Sequence, residues 1–518
     1  MPTRRDLLKT GLYSSAALLH LTGVRFDTWA LDGGKNVPPN PKVIPFQVDL
    51  PIPVAKTPVS PDTLPGVPRF SDGIPTDYFS VNVQQALAQI LSGKQTLIWG
   101  YDGVTPGPTF PARLGRRIVV RQTNNLPSNI NVHHHGGHTQ SLSDGSALPE
   151  LEIRPGQFRD YIYDNDDDVG GTHWYHDHTL DVTGHNVFMG LAGFYFLGST
   201  TIDALNLPGG PVDANVPGGP FDVPLVLQDR TFDANNQLVY NPFDHDGFIG
   251  NTFLINGAVQ PKFRVGNRKY RFRVLNGSNA RFYQISLSSG RSFQIIGSDD
   301  GLLKAPIEDT SFRIGPAERV EIVVDFSFYV PGPNTHVFLN NTMVQTEGRG
   351  PDGVDPTQPF PLMRFDVAAT IPDNSTVPAV LETGLPIFNR ADVSARRSFE
   401  FVRSDGAWQV NNKFFDPNRI DATVKLNATE IWTIKNGGGG WFHPVHIHRN
   451  GFFILDRNGS PVSGHESGLK DVFVLAGGDQ VHVITKFTGA KQLGKYVFHC
   501  HNIEHEDMRM MGLFNVVA

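Results

Sequence analysis

The chain repeats one local pattern three times at nearly constant spacing. Each copy alternates apolar and polar residues, which predicts a β-strand, and ends at an asparagine. The copies span residues 118–124, 270–276 and 430–436. Their terminal residues, Asn124, Asn276 and Asn436, lie 152 and 160 residues apart. Repetition at such a long period indicates duplication of a whole domain. The spacing therefore predicts three β-sandwich domains of similar size.

Length and composition agree with this organisation. At 518 residues the chain is too long for one ordinary core. Its 53 glycines and 39 prolines favour many short strands and turns over long helices. A formal net charge of −7 leaves no basic surface for nucleic acid. No apolar run of the sequence is long enough to cross a bilayer.

A second internal match involves residues that can bind a metal ion. Residues 171–178 align without a gap on residues 494–501, and both segments contain a His-x-His pair. Asp177 stands where the later copy has Cys500. The first domain therefore keeps a face of imidazoles and lacks the thiolate.

Cys500 is the single cysteine of the chain, so it cannot close an intramolecular disulfide, and a metal site is the favoured interpretation. Successive side chains of a strand point to opposite faces, so His499 and His501 face one way and Cys500 the other. One strand then serves two metal sites. A cysteine and two histidines with a weak axial methionine are typical of blue copper, and His505 and Met510 follow downstream.

The remaining histidine-rich segments pair in the same way. Residues 133–136 resemble residues 446–448, and strand parity places His446 and His448 on the face of His499 and His501. His443 has the opposite parity and is left to join Cys500. Residues 201–388 contain no His-x-His pair, which predicts that the middle domain is a spacer. The predicted domains are residues 40–200, 215–370 and 388–518.

The N-terminus contains Arg4 and Arg5 before a modest apolar stretch. Residues 1–30 are therefore predicted to be a Tat-type signal peptide, with the Tat export machinery as a partner and a periplasmic or secreted location. A basic N-terminus without structure is the alternative.

Together, the four ordered histidine motifs and the cysteine resemble the multicopper oxidase family from about residue 40 to the end. Within the family, residues 499–514 and 466–471 look most like bilirubin oxidase, and residues 174–194 are similar to the bacterial spore-coat laccase. The resemblance implies an all-β fold of three consecutive cupredoxin-like Greek-key β-sandwich domains. It also implies four copper ions: one type 1, one type 2 and two type 3.

The same resemblance implies a role for each motif residue. The type 1 ligands would be His443, Cys500, His505 and axial Met510. The type 2 and type 3 ligands would be His133 and His446 for type 2, and His135, His176, His178, His448, His499 and His501 for type 3. Because oxygen reduction consumes protons, Asp144 and Glu506 are expected to act as catalytic proton relays.

Several nearby residues have plainer interpretations. Met511 precedes a Gly-Leu pair just as Met189 does in the domain without cysteine, so it is predicted to be core and Met510 the ligand. His134 has the wrong parity for a ligand, and His138 and His173 are predicted to be non-ligands. Two roles are left as alternatives for Trp441: part of a substrate-binding surface, or packing.

The implied activity is that of a laccase or bilirubin-oxidase-like oxidase, with O₂ and a small aromatic reductant as partners. A metal oxidase acting on Cu(I), Fe(II) or Mn(II) is an alternative, although the chain has only seven methionines for soft Cu(I). A copper-free cell-division scaffold of the same fold is another, and it predicts lost ligands. A nitrite reductase would not need two complete His-x-His pairs.

Overall fold

The computed structural model describes residues 42–166, 169–212, 219–381, 384–489 and 491–518. The predicted signal peptide lies outside the described residues. Among these residues, no helix is both long enough and apolar enough to cross a membrane. Strands dominate, as the composition predicts, and they group in three successive parts of the chain.

The first group of strands lies within residues 76–198. Its described strands are β1 (Thr76–Ala88), β2 (Thr96–Tyr101), β3 (Gly107–Arg113), β4 (Arg117–Asn124), β5 (Val132–His135), β6 (Phe158–Tyr163), β7 (Gly171–Asp177) and β8 (Ala192–Gly198). They form one sheet in the order β2-β1-β4-β6 and another in the order β3-β8-β7-β5. Short helices α1 (Ser141–Asp144), α2 (Thr183–Met189) and α3 (Thr200–Ala204) lie in or after the connections.

The second group lies within residues 222–369. Its described strands are β9 (Asp222–Arg230), β10 (Thr252–Ile255), β11 (Ala258–Val259), β12 (Lys262–Gly266), β13 (Lys269–Asn276), β14 (Tyr283–Leu287), β15 (Phe293–Ser298), β16 (Gly301–Asp309), β17 (Ser311–Ile314), β18 (Arg319–Asp325), β19 (His336–Asn341), β20 (Met343–Val344), β21 (Gly353–Val354) and β22 (Phe360–Ala369). The two larger sheets have the orders β11-β10-β9-β13-β18-β15-β16 and β12-β22-β19-β14-β17. Strands β20 and β21 pair separately.

The third group lies within residues 393–517. Its described strands are β23 (Val393–Ser404), β24 (Ala407–Val410), β25 (Ala422–Lys425), β26 (Thr429–Asn436), β27 (His443–Ile447), β28 (Phe452–Arg457), β29 (Val472–Leu475), β30 (Gln480–Lys486), β31 (Gly494–Cys500) and β32 (Met511–Val517). The sheet orders are β24-β23-β26-β30-β28 and β25-β32-β31-β27-β29. Helix α4 (Ile503–Asp507) follows β31, and 3₁₀ turns occur at Pro61–Thr63, Pro149–Leu151, Arg390–Asp392 and Gly464–Ser467.

The repeated asparagines end equivalent strands. Asn124, Asn276 and Asn436 are the last residues of β4, β13 and β26. In each copy the side-chain Oδ1 accepts a hydrogen bond from the N–H two residues later, and Nδ2 donates to two backbone carbonyls. Such a local turn explains why asparagine recurs there. The predicted threefold repeat is therefore present in the hydrogen bonding as well as in the spacing.

The two histidine-bearing sheets also repeat one register. In the first domain β5 pairs antiparallel with β7 and places His133 opposite His176. In the third domain β27 pairs antiparallel with β31 and places His446 opposite His499. Cys500 lies opposite Val445 and packs into the apolar core of the third domain. Strand pairing thus sorts imidazoles and thiol onto opposite faces, as parity predicts.

Candidate metal centres

One group of metal-binding side chains, here the thiolate site, comprises His443, Cys500 and His505. Their ligand atoms all lie within 4.8 Å of one another, and all three residues are buried. Cys500 Sγ is 3.4 Å from His443 Nδ1 and 3.6 Å from His505 Nδ1. The chain leaves β31 at Cys500 and turns into α4, which returns His505 to the sulfur.

The two methionines near the thiolate site, Met510 and Met511, pack in different apolar clusters. Met510 is fully buried in the apolar cluster that contains Cys500. Its N–H donates to the carbonyl of His505 at 3.0 Å, and its own carbonyl accepts from the N–H of Cys500 at 3.1 Å. Met511 packs instead with Val497 and Leu513 in a different cluster. Met510 therefore shares the apolar cluster of the thiolate site, whereas Met511 belongs to another part of the core.

A second set of side chains, here the histidine cluster, lies on the opposite face of β31. Three groups of its imidazoles have ligand atoms within 4.8 Å of one another. The groups are His135 with His176 and His501; His178 with His448 and His499; and His133 with His135 and His446. The first two groups together contain the six histidines that the resemblance implies for the type 3 coppers.

The histidine cluster lies between the first and third domains. Nε2 of His133 is 3.3 Å from Nε2 of His446, and Nε2 of His178 is 3.2 Å from Nε2 of His448. The rings of His135 and His446 stack at 3.8 Å between centroids. Each domain supplies one His-x-His pair from each of two neighbouring strands, so neither domain completes the cluster alone.

Burial sets the protonation of these groups. It lowers the pKa of His176 and His443 to about 3, and it holds the pKa of His178 and His448 well below the usual value. These four imidazoles are therefore neutral near pH 7, which is the form that binds metals. Burial also raises the pKa of the Cys500 thiol well above its usual range, so a bound metal ion has to displace that proton.

The donor set fits copper. Both ring nitrogens of His501 are buried without a hydrogen-bond partner among the described residues, although an orphaned polar atom in an interior is costly. Imidazole is a good ligand for copper, and thiolate with imidazole in a three-ligand site is typical of blue copper. A metal ion at the group of His135, His176 and His501 would satisfy an imidazole that the protein itself leaves without a partner.

Two carboxylates contact the outer side of the imidazoles. Asp144 Oδ2 is 2.8 Å from His448 Nδ1, and the carbonyl of Asp144 is 2.6 Å from His133 Nδ1. Burial raises the pKa of Asp144 to about 7. Glu506 has Oε1 3.2 Å from His178 Nδ1 and Oε2 3.0 Å from His499 Nδ1. Both predicted catalytic acids therefore lie against the histidine cluster.

Comparison with known proteins decides the family. Models of multicopper oxidase domains match residues 82–201, 221–348 and 390–518. The chain belongs to the multicopper oxidase family. It is accordingly a copper-dependent oxidoreductase that uses O₂ as its electron acceptor.

Individual members of the family are similar over most of the chain. Bilirubin oxidase from Albifimbria verrucaria is 37% identical over 495 residues, which cover 92% of this chain and 82% of that protein. Laccase from Bacillus subtilis (strain 168) is 31% identical, over 87% of this chain and 96% of that protein.

Solved structures of the family share the fold. The crystal structure of a laccase from Pediococcus acidilactici Pa5930 superposes with a TM-score of 0.78 at 29% identity, covering 93% of this chain and 98% of that one. The McoA multicopper oxidase from Aquifex aeolicus superposes with a TM-score of 0.77 at 28% identity, covering 92% and 100%. The predicted all-β, three-domain cupredoxin-like architecture is confirmed.

The first domain of this multicopper oxidase fills its potential thiolate position with a hydrogen-bonded carboxylate. The two oxygens of Asp177 accept from the backbone N–H groups of Asn131 and Thr179, from the Thr179 hydroxyl and from the Asn186 amide. The carboxylate lies on the face that Cys500 occupies in the third domain. Protein donors satisfy it, in agreement with the prediction that this face lacks a metal-binding thiolate.

The other histidines near the cluster lie outside the groups of ligand atoms. His134 points to the opposite face of β5 and packs against Tyr195 at 4.0 Å. His138 and His173 approach the two oxygens of Asp300 at 3.3 and 3.4 Å. Their positions agree with the non-ligand interpretation of the sequence.

Two further residues at these sites were not assigned from the sequence. Trp408 covers His505 at 3.9 Å between ring centroids, and its only sequence signal is an aromatic residue in the third domain. Asp471 Oδ1 lies 3.2 Å from His135 Nε2, and its position at the end of the 466–471 motif was a usable signal. Asp471 is in turn bound by Arg319 of the middle domain. The middle domain, predicted to be a spacer without copper ligands, therefore contacts a residue that lies behind the ligands.

Proposed function

We propose that this multicopper oxidase is a laccase-type or bilirubin-oxidase-like enzyme. It would couple one-electron oxidation of phenols or aromatic amines to four-electron reduction of O₂ to water. The observation that carries the proposal is the meeting of two sites on one strand. Cys500 belongs to the thiolate site, while its sequence neighbours His499 and His501 belong to the histidine cluster.

The proposal assigns four copper ions to these residues. His443, Cys500, His505 and Met510 would hold the type 1 ion. The other three would be held by His133 and His446 (type 2) and by His135, His176, His178, His448, His499 and His501 (type 3). When bound, the copper ions would accept electrons singly from the reductant and deliver them to O₂.

The backbone of β31 supplies a short connection between the sites. Cys500 is bonded directly to His499 and His501, so a covalent path joins the thiolate site to both type 3 groups. His446 lies opposite His499 across the strand pair, and Val445 lies opposite Cys500. This pairing sets the relative positions of the two sites through backbone hydrogen bonds of one sheet.

Asp144 and Glu506 would handle protons at the oxygen-reducing end. Asp144 is fully buried, and its raised pKa of about 7 allows it to carry a proton near neutral pH. Ser146 Oγ donates to it at 2.6 Å and holds the carboxyl in place. Glu506 contacts His178 of the first domain and His499 of the third. Positioned carboxyl groups of this kind are suitable general acids for forming water.

The surface over the thiolate site favours an aromatic reductant. Trp408 and Trp441 meet edge to face at 5.2 Å, and the indole of Trp441 is also covered by Arg349 and Arg403, at 4.6 and 4.8 Å from the ring. Arg349 is among the more exposed members of this group. Trp441 is buried, so the guanidinium groups that lie on its ring would form the outer stacking surface for a planar donor, with the indole supporting them.

Export by the Tat pathway is part of the proposal. It rests on Arg4 and Arg5 in the sequence and on the absence of disulfides in a chain with one cysteine. A protein that folds and acquires its metal before export would then act in the periplasm or outside the cell.

Oxygen uptake by copper-loaded protein tests the proposed function. The panel contains phenols, aryl amines, bilirubin, Cu(I), Fe(II) and Mn(II), with copper counted per chain. We expect four copper ions per chain and the highest kcat/KM for an aromatic donor. Metal-free protein is the matched control and should consume no oxygen. A higher kcat/KM for Cu(I), Fe(II) or Mn(II) would instead identify a metal oxidase.

A further inference from the structure

Arg319 of the middle domain connects all three domains at the edge of the histidine cluster. It begins β18 and is completely buried. Nε donates to the carbonyl of Thr172 in the first domain at 3.0 Å. Nη1 and Nη2 donate to the two oxygens of Asp471 in the third domain at 2.7 and 2.5 Å.

The remaining donors of Arg319 are also used. Nη1 reaches the carbonyl of Ala317 at 3.1 Å, and Nη2 reaches the carbonyl of Asp299 at 2.9 Å. A guanidinium has five N–H groups in a rigid planar fork, and here every one has an acceptor. Lysine could supply the charge at this position but not this geometry.

Asp471 transfers this constraint to two imidazoles. Its Oδ1 lies 3.2 Å from Nε2 of His135, whose other ring nitrogen faces His176 at 3.4 Å. Its backbone carbonyl accepts a hydrogen bond from Nδ1 of His446 at 2.9 Å. A partner on the outer nitrogen of a histidine sets the orientation and tautomer of the ring that binds a metal. Asp471 therefore orients one imidazole from each of the two metal-binding domains.

Gly136 provides an independent sign that this contact is tightly built. It follows His135 with φ of 93°, in the region that favours glycine. A Cβ at this position would lie 2.8 Å from Arg319 Nη2 and 3.1 Å from Asp471 Oδ2. The chain passes the ion pair at a distance that only glycine permits.

Further charged groups surround the Arg319–Asp471 ion pair and hold it in place. Asp299 Oδ1 accepts from the backbone N–H of Arg319 at 2.8 Å, and Asp299 Oδ2 is 3.0 Å from Lys470 Nζ. Lys470 also donates to Glu318 at 2.8 Å. Because arginine is not deprotonated in proteins, a path through Arg319 cannot relay protons. The Arg319–Asp471 ion pair instead fixes the positions of the side chains around it.

We propose that Arg319 is a positioning residue of the histidine cluster. Acting through Asp471, it orients His135 and His446 and thereby strengthens copper binding there. The inference rests on the proposed copper assignment. It gives the middle domain, which supplies none of the proposed ligands, a direct part in building the metal centre.

Copper retention in Arg319→Lys and Arg319→Gln tests the inference. Each copper-loaded variant is dialysed against a graded series of chelator concentrations. Copper per chain, the spin-resonance signal of type 2 copper and the visible absorption of the type 1 site are then measured. We expect copper affinity at the histidine cluster to fall by roughly 10- to 100-fold, the usual effect of losing a residue behind the ligands. The type 1 absorption should be unchanged.

Arg271→Lys is the matched control. Arg271 is equally buried in the neighbouring strand β13 and donates to Glu321 at 2.8 Å. Its ion pairs among the described residues are with Glu321 and Asp222, not with Asp471. We expect this variant to lose stability without selective loss of the type 2 signal. Normal copper retention in both Arg319 variants would overturn the inference. Proportional loss from both metal sites, as in a generally weakened fold, would overturn it as well.

Asp471→Asn keeps the test decisive if an Arg319 variant does not fold. It preserves the size of the side chain but removes the charge that Arg319 binds. We expect the same selective copper loss, and combining it with Arg319→Lys should add little because both changes break one contact. Full retention by Asp471→Asn, or additive losses in the double variant, would contradict the inference. Failure of the copper assignment is distinguishable, because wild-type protein would then show no type 2 signal. Failure of the proposed substrate class is also distinguishable, because it would change the oxygen-uptake ranking and leave copper retention as expected.

Discussion

The indole ring of Trp408 lies over the imidazole of His505, with 3.9 Å between ring centroids and 35° between ring planes. Trp408 is nearly inaccessible to solvent, and its Nε1 donates to the carbonyl of His245 at 2.9 Å. Trp441 packs on its outer side and donates to Asp246 at 2.8 Å. Under the proposed function, a reductant would approach the thiolate site past Trp441 and its arginines.

Trp441→Ala should weaken the use of aromatic donors. Loss of an aromatic stack worth about 0.5–1.5 kcal/mol predicts a KM raised roughly 2- to 10-fold for phenols and aryl amines. A small inorganic reductant should be affected less, because it does not stack. Steady-state kinetics with both donor types measure the difference. Equal losses would reduce Trp441 to a packing role.

Cys500→Ser should abolish the intense visible absorption and the oxidase activity. The coppers of the histidine cluster should remain, because six of its eight imidazoles lie outside the 499–501 run. Copper counting and spin resonance measure both effects. Persistence of the blue colour would refute the assignment of Cys500.

Met510→Leu should raise the reduction potential of the type 1 site. Removing a weak axial donor destabilises Cu(II) more than Cu(I). Met511→Leu is the matched control, because Met511 packs in another apolar cluster. Redox titration of the visible absorption measures the potential. A shift in the Met511 variant alone would show that the axial choice is wrong.

Asp144→Asn and Glu506→Gln should slow turnover but leave reduction of the type 1 site by substrate intact. Both carboxylates contact the histidine cluster, and losing a proton donor costs roughly 10²- to 10⁴-fold in rate. Anaerobic stopped-flow reduction, compared with steady-state oxygen uptake, separates the two halves of the reaction. Slow reduction of the blue site in either variant would place that residue at the substrate end.

His443→Asn should make the metal-free protein less sensitive to acid. Burial lowers the pKa of His443 to about 3, so below pH 6.5 the unfolded chain binds a proton that the folded chain does not. The stabilising contribution of neutral His443 is therefore complete above pH 6.5 and is lost as the pH falls toward 3. The slope is about 1.4 kcal/mol per pH unit for one group. Denaturant unfolding of both proteins at a series of pH values measures the difference, and parallel curves would contradict it.

Local rules accounted for much of the fold and of the metal centres. The spacing of Asn124, Asn276 and Asn436 predicted the domain repeat, because each asparagine closes the same turn after an equivalent strand. Alternation along β31 placed Cys500 and His499 on opposite faces, because the side-chain period of a strand is two. Both patterns depend on residues that are close together in the chain, so they can be recognised from the sequence without a structure.

Tertiary structure alone decided which distant residues support those sites. Arg319 and Asp471 are 152 residues apart in sequence, and they meet only because the three domains pack around one buried junction. Trp408 reaches His505 across 97 residues within the third domain, because that domain folds β24 back over the thiolate site. The sequence by itself determined the repeat, the two faces of β31 and the metal-binding residue types. The residues that cover and orient the ligands depended on tertiary packing, because a contact between residues far apart in the chain leaves no period in the sequence.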